Sequence, residues 1–414
     1  HTMHKFLPVG VQDFRKMITG NFLYVDKTGY ICEMVRPPQG FYFLARPRRF
    51  GKSLFVSALE CLFRGDKDLF RGLQIEQTDW QWKPHPIVKV DFSTIAYDTP
   101  ERLRENLLLH VRRIAGEHGI QNTAEFLPYS FSTLITGLAK KYKEQAVVLI
   151  DEYDKPIIEH LGKGESALGV AKENRDILKS FFGVLKGGDV SAALRFVFFT
   201  GISKFARVSI FSDLNNLDDI SMQDEYDSVL GYTDDEFLSF FDTHIDKLSE
   251  KIKIGRQETL EKIMAWYNGY RFTQTKTKVY NPFSVTKLFQ KGKFENFWFE
   301  TATPSFLVNL ITEQEYPVVN IEDLELSEEN FTVYEIENLE PEPLLFQTGY
   351  ITIHGFDNTL YQIGYPNQEV KTSFLSYLYR HFTGLKDKKI QSAYKRLHIC
   401  LNEKNIEKFI DIVK

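Results

Sequence analysis

The chain has 414 residues, 43% hydrophobic and 14% aromatic, with a formal net charge of −5. That length exceeds one compact core and predicts two or three well-buried globular domains, while the acidic balance argues against a surface coated in nucleic-acid-binding charge. Apolar runs of membrane-spanning length and a secretory pattern are both missing, so a cytoplasmic protein without a membrane partner is expected.

His1-Thr2-Met3 reads as a cloning remnant ahead of the native start. Asp26-Lys27-Thr28, followed by Ile31, Met34 and Val35, predicts a capped helix that Arg36-Pro37-Pro38-Gln39-Gly40 terminates. Phe41-Tyr42-Phe43-Leu44 then reads as a strand, and Leu54 to Phe63 carries the three- and four-residue spacing of a helix. Between them lies Arg46-Pro47-Arg48-Arg49-Phe50-Gly51-Lys52-Ser53, closing on the Gly-Lys-Ser of a phosphate-binding loop. In such a loop the backbone N–H groups of residues such as Phe50 to Leu54 and the helix N-terminus hold phosphate oxygens. Lys52 would neutralise the β- and γ-phosphates, and the Ser53 hydroxyl would take one Mg²⁺ position. Arg46 stands where the full pattern has its first glycine. Either the cradle is wider, or Arg46 points outward while Arg48 and Arg49 supply extra charge. Gly-Lys-Ser alone also fits an ordinary glycine turn opening a helix.

Ile87 to Ser93 reads as the next strand, with Asp91 better placed to cap the following turn than to serve the site. Helical spacing covers Glu101 to Ala115 and Thr133 to Tyr142. Ala146-Val147-Val148-Leu149-Ile150 has the continuous apolar character of a doubly buried strand and ends in Asp151-Glu152. Carboxylates at the C-terminal end of a parallel strand sit at the ligand crevice. Asp151 is therefore assigned to the metal and Glu152 to the attacking water. Leu194 to Gly201 is a further buried strand, and Thr200 at its end either senses the γ-phosphate or bonds its own turn. Strands alternating with helices predict a doubly wound α/β domain to about residue 228.

Thr233 and Glu236 have capping-box spacing and open a helical region to about residue 320. Its aromatic series, Trp266 to Phe299, fits a lid core better than base stacking. The acidic stretch Glu322 to Glu342 is expected to be solvated. Leu344 to Phe346, Tyr350 to Ile353 and Leu360 to Ile363 are expected as strands of a small winged-helix-like or hairpin element, with helices from Val370 onward. Asp357, Glu369 and Lys371 have a nuclease-like spacing, but Glu369 reads better as the first turn of a helix. Cys32, Cys61 and Cys400 lie far apart and read as buried thiols in a reducing compartment.

Together with Leu149-Ile150-Asp151-Glu152-Tyr153-Asp154-Lys155-Pro156, Thr200-Gly201-Ile202-Ser203-Lys204, Trp266-Tyr267-Asn268-Gly269-Tyr270, Tyr280-Asn281-Pro282-Phe283-Ser284, Phe346-Gln347-Thr348-Gly349-Tyr350 and Gly364-Tyr365-Pro366-Asn367, the loop resembles the bacterial AAA-ATPase-like family. The resemblance runs from about Leu7 to Lys371 and implies a P-loop NTPase sheet of the AAA/ASCE-like kind, with ATP and Mg²⁺ as cofactors. Arg46 in place of glycine belongs to the family's own pattern. Members commonly continue into a nuclease-like domain of the PD-(D/E)xK type, through which DNA would enter as a partner. The chain is expected to stop before it. The expected division is an ATPase domain at 1–228, a helical lid at 229–320 and a small α+β region with a linker at 321–414. The expected activity is slow ATP hydrolysis reported by the lid to that effector, with Arg48, Arg49, Lys204 and Arg207 as candidate basic groups at the γ-phosphate. The alternative is a non-hydrolysing scaffold for protein or DNA.

Overall fold

A computed structural model describes residues 4–204, 209–298, 305–314, 316, 321–322, 324–331 and 336–383. The chain opens with α1 (Phe14–Thr19), capped by the Asp13 carboxylate, and α2 (Thr28–Val35), whose first turn is tied by Asp26 accepting from the Thr28 N–H and hydroxyl. Next come β1 (Gly40–Ala45), α3 (Lys52–Phe63), β2 (Ile87–Asp91), α4 (Pro100–Glu117), α5 (Leu127–Tyr142) and β3 (Ala146–Asp151). Then follow α6 (Lys155–Ile158), α7 (Glu165–Gly183), α8 (Gly188–Ala192), β4 (Leu194–Gly201) and the short β5 (Asp218–Asp219). The five strands are parallel, in the order β2-β3-β4-β1-β5.

All six residues of β3 are buried, as its β-branched run requires of a strand covered on both faces. Because the strands are parallel, all their C-terminal ends point to one rim. β4 lies between β1 and β3, so the phosphate loop after β1 and the acid pair at the end of β3 are two strands apart along that rim. This is the doubly wound parallel α/β sheet that the alternation of strands and helices predicts.

The helical region holds α9 (Asp234–Ile252), α10 (Arg256–Tyr267) and α11 (Pro282–Lys291). Thr233 and Glu236 form the expected capping box at the start of α9. Phe237, Phe241, Tyr267 and Tyr280 build this region's own apolar core, and Leu23 and Val25 from the N-terminal segment pack into it. The described members of the aromatic series are thus largely internal, and Phe299 lies outside the described residues.

The C-terminal part contains α12 (Ser305–Glu313), β6 (Leu324–Leu326), α13 (Pro341–Gln347), β7 (Thr352–Phe356), β8 (Tyr361–Gly364) and α14 (Gln368–Thr383), with an antiparallel sheet ordered β6-β8-β7. Leu344 to Phe346 corrects the strand expectation: these residues are helical and wholly buried within α13. A short apolar run cannot by itself separate a strand from a helix buried all round, and Pro341 at the first helical position was the deciding signal. Glu322, Glu325, Glu328, Glu329, Glu337 and Glu340 are exposed, as a solvated acidic face should be, while Asp323 and Glu335 lie outside the described residues. The C-terminal part shares one apolar core with the main sheet, through Tyr270, Phe272, Trp298, Phe346, Tyr350 and Phe374.

Candidate functional site

The phosphate loop turns on two residues with left-handed backbone, Arg49 at φ 66° and Gly51 at φ 94°. Gly51 is the N-cap of α3, and a side chain there would be strained by its backbone angle even though open space surrounds it. Lys52 begins α3, so the unpaired N–H groups of the helix's first turn face back into the loop. The Lys52 ammonium is 9% exposed and donates to the Pro47 carbonyl at 2.8 Å, folded over its own loop. Burial pushes its pKa down to about 8, while the nearby Asp151, Glu152 and Asp154 carboxylates oppose that fall.

Across β4, Asp151 is 2% exposed, and its Oδ2 accepts from the Ser53 hydroxyl at 2.7 Å. Burial raises the Asp151 pKa to about 6 against the pull of that hydroxyl and of Lys52. Asp151 Oδ1 accepts from the Glu152 N–H at 2.9 Å. Glu152 stands on a left-handed turn at φ 51°, its side chain about one-third exposed and 3.5 Å from the Lys155 ammonium. Asp154 anchors the turn from below, accepting from the N–H groups of Ile202 and Ser203 and from the Ser203 hydroxyl at 2.7 Å. Lysine, serine and the acid pair, 98 residues apart between Ser53 and Asp151, thus meet at one point.

Of these, Lys52, Ser53 and Glu152 line a cleft of about 340 Å³, while Asp151 is buried behind its wall and joined to it through Ser53. Arg48 to Leu54, Glu152, Lys155 and Ile202 line it on the sheet side. The N-terminal segment contributes Pro8, Gly10, Val11, Gln12 and Lys27, and the helical region contributes Tyr232, Pro282, Phe283 and Thr286. The charged side chains of Arg48, Arg49, Lys52, Glu152 and Lys155 share this lining with apolar groups such as Pro8, Val11, Tyr232 and Phe283, the mixture of a ligand pocket. Among the described residues no three His, Cys, Asp or Glu side chains gather into an all-protein metal centre. The hard oxygens of Ser53 and Asp151 fit Mg²⁺, which takes one or two protein ligands and completes its shell with phosphate and water.

Three expectations need correction. Arg46 neither points outward nor lines the cleft: it is 1% exposed, donates to the carbonyls of Ala45, Ser221 and Tyr226, and lies 4.3 Å from the Phe272 ring centre. Burial lowers its pKa to about 9, opposed by Asp219 and Asp227. Thr200 is wholly buried and donates its hydroxyl to the Leu44 carbonyl on the paired strand, so it offers nothing to the cleft. Lys204 is drawn away to Asp219 at 3.0 Å, and Arg207 lies outside the described residues. Of the basic candidates, Arg48 and Arg49 do line the cleft; Arg48 lies 3.6 Å from Glu159 and Arg49 4.9 Å from the Phe283 ring centre.

Asp91 caps its own turn, accepting from the Ser93 N–H, while its register beside Asp151 adds to the charge that raises the latter's pKa. The nuclease-like trio disperses: Asp357 accepts from its own turn, Glu369 is buried in the core, and Lys371 pairs with Glu322. Lys155 and Lys27 were not singled out from sequence. The signal for Lys155 was its position three residues after Glu152, just ahead of Pro156 at the start of α6. Lys27 is 7% exposed and bonds both Glu236 oxygens and the Ser228 carbonyl, pinning α2 to the cap of α9 across the cleft.

A family model described as "Predicted AAA-ATPase" matches residues 8–211. An Azotobacter chroococcum mcd 1 protein described as "Uncharacterized protein in vnfD 5'region" is 39% identical over 380 residues, spanning 89% of this chain and 69% of its own. Among solved structures, the Walker-type ATPase PABY2304 of Pyrococcus abyssi aligns over 90% of this chain and 99% of its own, at 11% identity and a TM-score of 0.43. No helix among the described residues is long and apolar enough to cross a membrane.

Proposed function

Because the chain belongs to the predicted AAA-ATPase family and carries a nucleotide-binding P-loop module, we propose that it binds ATP·Mg²⁺, hydrolyses it slowly, and passes nucleotide state to a nuclease-like effector of the kind the family resemblance implies. The observation that carries this reading is the 2.7 Å bond between the Ser53 hydroxyl and the Asp151 carboxylate, with the Lys52 ammonium beside it.

Each residue then has a defined task. Lys52 exchanges the Pro47 carbonyl for phosphate oxygens, which are stronger acceptors for a desolvated ammonium. Ser53 and Asp151 would hold Mg²⁺, which when bound supplies charge neutralisation on the phosphates. Glu152, more exposed than Asp151 and held on a strained turn, orients a water at the γ-phosphate. Lys155, beside it, is the basic group contributed by the acid strand's own turn. Pro8, Val11, Tyr232 and Phe283 enclose the base, and closure of the helical region over them excludes water.

The test is Glu152→Gln against wild type with radiolabelled ATP. Binding should stay within about twofold while turnover falls by about 10²-fold. Equal turnover in the two proteins would reject the assignment, and a wild type that binds ATP without any turnover would leave a nucleotide-stabilised scaffold.

A further inference from the structure

Residues from the second half of the chain pack against the phosphate loop and bond to it. Phe50, 1% exposed, stands edge-on to Tyr270 with ring centres 4.8 Å apart. Pro47 backs onto Gly349, whose left-handed backbone and lack of a side chain both matter: a Cβ there would come within 2.9 Å of Pro47. Trp298, wholly buried, donates its indole N–H to the Arg48 carbonyl at 2.8 Å, inside the loop itself.

Trp298 is held in turn from α14. The N–H groups of Phe297 and Trp298 donate to Glu369 Oε2 at 2.8 and 3.3 Å, and the Ser284 hydroxyl donates to Glu369 Oε1 at 2.8 Å. Glu369 sits in the first turn of α14 and is completely buried. The Trp298 ring packs on Tyr350, which packs on Phe374 of the same helix, with centres 5.3 and 4.8 Å apart. Apolar packing alone would be served by an apolar residue at position 369. A buried carboxyl group with three hydrogen-bond partners instead specifies one position for the segment it grips.

We infer that Trp298 and Glu369 are positioning residues of the phosphate loop: Glu369 aims the Trp298 indole at the Arg48 carbonyl, so the loop's curvature and the start of α14 move together. By linkage, a load on α14 changes nucleotide affinity, and nucleotide changes the tolerance of α14 for that load, by one factor. The consequence for affinity rests on the nucleotide reading above; the tether itself does not.

Two measurements on the full chain separate them. In the nucleotide-free protein, hydrogen exchange of the loop amides between Arg48 and Ser53 should speed up by about fivefold in Trp298→Phe, which keeps a ring and deletes the N–H. Unchanged exchange overturns the tether whether or not nucleotide binds. With a non-hydrolysable ATP analogue and Mg²⁺, calorimetry should show affinity weakened by about 3- to 10-fold in Trp298→Phe and in Glu369→Leu, which removes both acceptor oxygens. The double variant should lose no more than the worse single, because both act through one contact. Additive losses, or affinity within twofold of wild type in Trp298→Phe, overturn the inference. Tyr350→Leu, which loosens the ring packing and keeps the N–H, should lower stability and leave affinity within twofold; an equal loss of affinity there would assign the effect to packing and overturn the role of the indole. A wild type that binds no nucleotide rejects the functional reading, and the exchange result still judges the tether.

Discussion

Replacing Lys52 with methionine should stabilise the nucleotide-free protein while abolishing its response to ATP. The ammonium is buried, and burial lowers its pKa from 10.5 to about 8. An unfolded chain keeps Lys52 charged up to pH 10.5, whereas the folded chain keeps it charged only below about 8. The cost of folding around the charge is therefore complete below pH 8 and fades as pH rises toward 10.5. At about 1.4 kcal/mol per pKa unit it amounts to roughly 3 kcal/mol near pH 7 and about half of that near pH 9.5. The bond to the Pro47 carbonyl returns about 1.5 kcal/mol, so Lys52→Met should gain roughly 1–2 kcal/mol near pH 7 and little near pH 9.5. Methionine has a similar reach and no charge, which limits any cavity term. Urea unfolding of both proteins at the two pH values reads the difference directly. A variant less stable than wild type near pH 7, or a gap that does not narrow with pH, would refute the reasoning. Saturating ATP·Mg²⁺ at about 100 times Kd should add about 2.7 kcal/mol to wild type and nothing to the variant.

The affinity for ATP·Mg²⁺ should peak between about pH 6 and about pH 8. It falls on the acid side as Asp151 protonates, and on the alkaline side as Lys52 loses its charge. Titration calorimetry across that range checks both limbs. Arg46→Gly, which restores the first glycine of the common phosphate-loop pattern, should lower stability by about 3–5 kcal/mol, because it empties a buried site and strands the carbonyls of Ser221 and Tyr226. Thermal unfolding measures that loss, and no gain in nucleotide affinity should accompany it. Arg46→Lys should fail to rescue, since an ammonium cannot reproduce the planar fork that spans those carbonyls and stacks on Phe272.

Local chemistry made the centre of the molecule readable in one dimension. An apolar run, a glycine with the backbone freedom for a tight turn, and a lysine and serine opening a periodic helix all act within a few residues of one another. So do the β-branched run before Asp151 and the Thr233–Glu236 capping box, and each is observed where it was expected. Three things depended on partners far away in sequence. Arg46 turned inward because the Ser221 and Tyr226 carbonyls and the Phe272 ring wait for it there. Thr200 was withdrawn because β4 pairs with β1 and sets its hydroxyl against Leu44. Leu344 to Phe346 became a helix because it is packed on all sides, an environment that a single apolar run does not encode. Conformational preference is a property of neighbouring residues, whereas which polar group meets which is decided by how strands order and layers stack. The first is written in the order of residues; the second exists only once the chain has closed on itself.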